Sequence, residues 1–315
     1  MQFSFQPDQL PMTIQDYLSR PQSSETWIVQ DLLPVGSLMT IYGGPKAGKS
    51  YLAVALGCNI AANRSANWLK WPIRQHGPVL YFSLDAPSSE WAKFYCGAAL
   101  EKGLYQPGDP FYTCDKLQSP TPFDIQDVST KAKLYVQESV QWVSEKEGTP
   151  PVLVVVDVFR KLFAGDEDKS GAQMNTLSLL EEATAGIAKV IVHHEKKPPQ
   201  EGEHPLMAGG RGSNFLPGEA CTTMRVVKKD KGLKAVLQYD GRGVTEDKLS
   251  LRRKSTAIGP DSFWDLDEAE ESIHMQNILR DMAGDSVNAQ ATELARRTGL
   301  PQDAARGKIR RALGV

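Results

Sequence analysis

Eight residues constrain this chain more than any others: Gly43-Gly44-Pro45-Lys46-Ala47-Gly48-Lys49-Ser50. An apolar run at 37–42 leads into them, and an Ala- and Leu-rich stretch at 49–62 follows. The octapeptide meets the pattern G-x-x-x-x-G-K-[ST] without departure, and its flanks read as the buried strand and the helix that the pattern requires. Gly43 and Gly48 let the backbone turn so that its N–H groups face phosphate oxygens. Lys49 sets a point charge on β- and γ-phosphates, and Ser50 offers a hydroxyl to Mg²⁺. The helix from Lys49 aims its positive end at the anion. Gly43, Gly44, Pro45, Lys46, Ala47, Gly48, Lys49, Ser50 and Tyr51 are therefore the expected nucleotide contacts, with ATP and Mg²⁺ as the expected ligands.

Further apolar runs follow at 78–84, 111–114, 152–158 and 189–193, separated by helical stretches at 88–100, 129–147 and 171–187. Runs that are continuous rather than alternating are the mark of a parallel sheet covered on both faces, so an α/β core is expected from about 37 to 195. From about 220 the pattern changes to short alternating runs at 222–228, 234–239 and 248–253, punctuated by Asp240-Gly241 and Gly243, which reads as an antiparallel meander at the sheet edge. The division expected is a P-loop ATPase core over 1–255, with 1–35 a polar arm carrying a few anchors, then a linker over 256–266 and a small helical domain over 267–315.

Lys and Arg number 36 against 38 Asp and Glu, a net charge of −2 that excludes a globally basic nucleic-acid coat and leaves only local patches for a polyanion. The longest apolar run, 51–56, is far below the ~20 residues of a membrane helix. Residues 1–10 carry no basic flank or apolar stretch, and the four cysteines form no Cys-x-x-Cys pair, so no membrane contact and a reducing cytoplasm are expected.

A phosphate cradle needs an acid for the metal. Asp157 ends the strongly apolar run Val152-Leu153-Val154-Val155-Val156 and can reach a Mg²⁺ shell at the carboxyl edge of the sheet; the bland alternative is a turn cap. Asp85, after Tyr81-Phe82-Ser83-Leu84, would stand near the γ-phosphate and polarise the attacking water, or else cap the helix from Ser88. His193-His194 ends the run that follows Asp157; His194 reads as a γ-phosphate sensor, as plain structure, or as a metal ligand, with Glu195 and His204 the only near partners and no third ligand at metal spacing.

In this order the stretches GGPKAGKSYLAVALG, GPVLYFSLDAPSSE, PVLVVVDVFRKLFAGDED, VIVHHEKK and GGRGSNFL resemble the RecA-like hexameric helicases, most of all the RepA-type replicative helicases of plasmids and their relatives in phages and mobile elements. The resemblance implies that Lys49 and Ser50 bind phosphates and Mg²⁺ and that Asp157 completes the metal shell. It implies a catalytic carboxylate at Asp85, where the family has Glu, and a polar link at His194 from the γ-phosphate to DNA-facing loops. It also implies an arginine reaching in from a neighbouring subunit of a homo-oligomeric, hexameric ring. Arg225 is the first choice, with Arg242 and Arg211 as the others, the alternative for each being a solvated surface charge.

The connection 196–211 is long, polar and rich in Pro and Gly, and its place matches the channel loop of that family. Lys196, Lys197 and Arg211 are the candidate contacts to single-stranded DNA, although no aromatic residue interleaves them for base stacking; a mobile surface loop is the alternative. The tail 291–313 fits a helix-turn-helix, with Leu294, Ala295, Leu300, Ala305, Ile309, Ala312 and Leu313 inward, Gly299 at the turn and Pro301 opening the second helix. Arg306, Lys308, Arg310 and Arg311 would face duplex DNA or a protein partner. Two classes of function follow: a DNA-replication motor that hydrolyses ATP on single-stranded DNA, or an ATP switch that its tail recruits to DNA or to a partner. The meander and the basic tail disfavour a small-molecule kinase.

Overall fold

The computed structural model describes residues 13–15, 27–115, 128–162, 170–195, 206, 215–229, 233–253, 255–256, 259–260, 263–267, 278–298 and 302–313. A short antiparallel pair, β1 (Trp27–Val29) and β2 (Leu33–Pro34), precedes β3 (Leu38–Gly43) and helix α1 (Lys49–Ala62). A second small pair, β4 (Asn67–Trp68) and β5 (Trp71–Pro72), leads to β6 (Val79–Ser83). Helix α2 spans 88–101, and β7 (Phe111–Asp115), α3 (Val128–Glu147), β8 (Leu153–Asp157), α4 (Ser170–Ala183) and β9 (Ala188–His194) follow. The one-turn helix α5 (Phe215–Glu219) comes before β10 (Thr222–Lys229), β11 (Lys234–Gly241), β12 (Val244–Arg252) and β13 (Asp265–Leu266).

Among the described residues the main sheet has nine strands in the order β13-β12-β11-β10-β3-β9-β8-β6-β7. The run from β10 through β3 to β7 is parallel, and β10 to β13 is antiparallel. Side chains alternate between two cores, as strand geometry demands. Met39, Ile41, Val79, Tyr81, Leu153, Val155, Val190 and Val192 pack under α1, whereas Leu80, Phe82, Val154, Val156 and Ile191 pack under α3 and α4. Burial on both faces is why the sequence shows unbroken apolar runs. The wedge of α1 between the sheet and the Trp68–Trp71 hairpin explains why it is Ala- and Leu-rich nearly all round.

The arm is anchored at 27–33, where Ile28, Val29, Leu32 and Leu33 are fully buried in the α1-side core. One expectation differs: residues 263–266 are no linker. Phe263 and Trp264 belong to the same core, Asp265–Leu266 pairs with β12, and the Asp267 carboxylate meets Arg252 at 2.7 Å and Lys234 at 3.1 Å. Two paired residues leave no periodicity for a sequence to show. The tail forms α6 (Val287–Thr298) and α7 (Gln302–Leu313), and Ile278, Ala291, Leu294, Ala305 and Ile309 make a core of their own. Ala312 and Leu313 are exposed rather than inward, since nothing described packs over the last turn of α7. Gly299, Leu300 and Pro301 lie outside the described residues.

The β4–β5 hairpin is pinned to the meander by Lys70. Its Nζ donates to the Tyr239 hydroxyl at 2.5 Å and lies 5.2 Å and 4.8 Å from the ring centroids of Trp71 and Tyr239. Burial pulls its pKa from 10.5 down to about 8, against the opposing pull of Asp247. Between those two values the unfolded chain binds more protons than the folded one, so stability rises with pH across that window. Lys70→Met is expected to lack that rise; urea midpoints of both proteins at about pH 7.5 and about pH 10 check it.

Candidate nucleotide site

The strands that carry the expected site residues end together. Register pairs Gly43 with His194 and Val226, Asp157 with Val192, and Ser83 with Asp157, so the ends of β3, β9, β8 and β6 line one carboxyl edge. The loop at that edge turns through Gly43 (φ 154°) and Gly48 (φ 89°). A Cβ on Gly43 would run into the Val226 carbonyl, and one on Gly48 into the side chains of Arg253 and Trp264. The Trp264 indole N–H donates to the Gly48 carbonyl at 3.2 Å, and Arg253 lies 4.2 Å over the Trp264 ring.

Lys49 is only 5% exposed, and its Nζ donates to the carbonyls of Gly43 (3.0 Å) and Gly44 (2.9 Å). Burial lowers its pKa, and the carboxylates of Asp157, Asp85 and Glu195 pull the other way. The ammonium is thus held inside the loop by two of the loop's own carbonyls.

Asp157 is also 5% exposed. Tyr81 Oη donates to its Oδ2 at 2.8 Å, and the Ser50 hydroxyl lies near enough to favour its charged form. Burial raises its pKa, against Ser50, Tyr81 and Lys49. Its Oδ1 is buried with no hydrogen-bond partner among the described residues. A buried carboxylate oxygen left unpaired beside a serine hydroxyl is costly alone and suits a hard cation with oxygen ligands, so Ser50 and Asp157 fit Mg²⁺.

Asp85 and His194 meet at the mouth. His194 Nε2 is 3.6 Å from Asp85 Oδ2, with side chains 29% and 50% exposed. Asp85 does not cap α2: Pro87 holds the cap position, without a side-chain bond. His194 thus joins the site through Asp85, whereas His193 is buried with its ring edge-on to Phe159; among the described residues, which leave out His204, no three His, Cys, Asp or Glu cluster as a metal would need.

Arg225 stands elsewhere than a residue reaching outward would. It is 9% exposed on β10, its Nε and Nη2 donate to Glu195 Oε1 at 2.8 Å and 2.5 Å, and its Nη1 donates to Gln238 at 3.0 Å. The Glu195 N–H donates to the Gly43 carbonyl at 3.0 Å, so this pair braces the first glycine of the loop. Sequence reasoning gave Glu195 no role of this kind. Its only signal was its position directly after His194. Arg242 is exposed in the β11–β12 turn, at the sheet end opposite the loop. Lys196, Lys197 and Arg211 lie outside the described residues. On α7, Arg310 and Arg311 are exposed, Lys308 is half-buried, and Arg306 is 3.9 Å from Asp303.

Residues 5–200 match a family described as AAA domain, a span that takes in the loop, Asp85, Asp157 and His194. The chain belongs to the AAA-domain family. Among solved structures it is similar to one described as an ATPase domain, at 12% identity and a TM-score of 0.50 over 73% of this chain and 84% of that one. That likeness is one of fold, and the fold is RecA-like with a P-loop. Among curated proteins none matches the sequence. The AAA-domain protein is accordingly a P-loop ATPase, and among its described residues no helix is long and apolar enough to cross a membrane.

Proposed function

We propose that this protein is an oligomeric ATPase that acts on single-stranded DNA, with ATP hydrolysed where two subunits meet. The observation that carries the reading is the approach of Asp85 and His194 above Lys49. The acid that would polarise water and the residue from which 196–211 departs share one ion-pair distance, so a change at the γ-phosphate is felt where Lys196 and Lys197 begin.

Lys49 binds the β- and γ-phosphates, and the loop N–H groups orient them. Ser50 and Asp157 would hold Mg²⁺, which supplies charge neutralisation across the phosphates. Asp85 orients the attacking water and takes its proton. Its carboxylate is one methylene shorter than the family's Glu, and the His194 imidazole on its flank fixes its direction. Asp85 stands half-exposed, so the mouth is open for a cation from a second subunit; Arg242 and Arg211 are the candidates, Arg225 being engaged in its own chain.

A second reading, an ATP switch recruited through α6 and α7, is favoured by their separate core and the exposed Arg310 and Arg311. ATP turnover measured with and without single-stranded DNA, alongside the mass of the assembly, separates the two. The motor reading expects a multimer whose turnover rises severalfold with the strand. Turnover indifferent to single-stranded DNA sinks it, and duplex or partner binding lost in an Arg310→Ala/Arg311→Ala variant then supports the switch.

A further inference from the structure

The second glycine of the loop is held by a residue far from it in the chain. Gly48 sits at φ 89° and has no side chain of its own to fix the peptide that follows it. Its carbonyl accepts two donors instead. One is the Leu52 N–H at 3.1 Å, which opens the bonding of α1, and the other is the Trp264 indole N–H at 3.2 Å. A Cβ on Gly48 would lie 2.4 Å from Trp264 Nε1 and 2.3 Å from Arg253 Nη2, so these two side chains close the loop where a side chain would otherwise stand. Trp264 is buried, the Arg253 guanidinium lies 4.2 Å from its ring centroid and 5.1 Å from that of Tyr51, and Phe263 meets Tyr51 edge-on at 5.5 Å. The segment that carries Phe263 and Trp264 is fastened to the sheet. Asp265 and Leu266 pair with β12, and the Asp267 N–H donates to the Ser250 carbonyl at 2.9 Å.

A peptide is planar and trans, so its C=O and its N–H point opposite ways. Holding the Gly48 carbonyl toward Leu52 and Trp264 therefore turns the Lys49 N–H away from both, out of the first turn of α1. That is where a helix leaves its N–H groups without an internal partner and where an anion binds. We propose that Trp264 is a positioning residue for the phosphate cradle: its indole N–H fixes the Gly48–Lys49 peptide so that the Lys49 N–H faces the phosphates. The proposal rests on the cradle reading above and adds to it a residue that acts through Gly48. Packing alone asks only for a ring at position 264, whereas the cradle asks for the donor on that ring.

Trp264→Phe keeps an aromatic ring and removes the donor. Leu266→Ala serves as the packing control, because Leu266 packs on the same core from the same segment without a bond to the loop. Calorimetric titration with ADP, ATP turnover and a thermal melt are run on wild type, on both variants and on Lys49→Ala. A hydrogen bond of ordinary net strength is lost, so Trp264→Phe is expected to raise the ADP Kd and the KM for ATP by about fivefold. The Lys49 N–H serves ground state and transition state alike, so kcat is expected to stay within about twofold of wild type. Leu266→Ala is expected to lower the melting midpoint and leave the ADP Kd as it was. An unmoved Kd and KM in Trp264→Phe overturn the proposal. So does a fall in kcat at unchanged KM, and so does an equal loss of ADP binding in Leu266→Ala, which would make Trp264 a packing residue. ADP binding that Lys49→Ala leaves intact fails at an earlier stage, since it removes the cradle reading itself.

Discussion

Lys49→Ala is expected to abolish ATP turnover, by about three orders of magnitude, and to weaken nucleotide binding by about ten- to a hundredfold. The ammonium is buried in the loop, and three carboxylates, Asp157, Asp85 and Glu195, lie close enough to act on it. Without it a triphosphate would face the carboxylates of Asp157, Asp85 and Glu195 with no ammonium between them. The free protein, by contrast, loses little. Lys49 gives up hydrogen bonds to two carbonyls but also the cost of burying its charge, so the melting midpoint without nucleotide stays near wild type. That split between binding and stability is the signature of a ligand-holding residue. Calorimetric titration with an ATP analogue, a turnover assay and a thermal melt read the three quantities, and unchanged hydrolysis discards the cradle. Lys49→Arg is expected not to rescue, because a larger guanidinium has no room at a position 5% exposed.

The parts of this site that the sequence shows are those set by neighbours in the chain. Helix α1 runs over 49–62 as read, because both ends are local: Gly48 before it and Asn63 after it are left-handed. The strands bearing Asp157 and His194 are apolar runs with a polar residue at the tip, and the sheet brings those tips to one edge. What the sequence hides is set across the sheet. Glu195 and Arg225 are 30 residues apart, and a charge on a strand reads as solvated until its partner is known. Trp264 reads as part of a linker, yet its indole reaches back over 216 residues to Gly48. Helix α2 widens to π-helical form at Trp91–Gly97, a matter of backbone bonding that no residue pattern announces.

Arg225 gives the largest expected effect on stability. Its guanidinium and the Glu195 carboxylate are both nearly buried, and each is the other's main compensation. Arg225→Ala leaves Glu195 charged and unpaired beside Gly43, which costs about 3–5 kcal/mol. At roughly 2–4 °C per kcal/mol, the melting midpoint should fall by roughly 10 °C. Arg225→Met/Glu195→Met removes both charges and both desolvation costs, so most of that loss should be recovered. A lysine can make one contact in place of the three that Arg225 makes to Glu195 and Gln238. Arg225→Lys is therefore expected to lower the midpoint by part of the alanine loss, while turnover per folded molecule persists. The reverse pattern, turnover lost at an unchanged midpoint, would return Arg225 to the transition state of a neighbouring subunit. In that case the Glu195 pair would have to open on assembly, because the same guanidinium cannot brace its own loop and cross the interface at once.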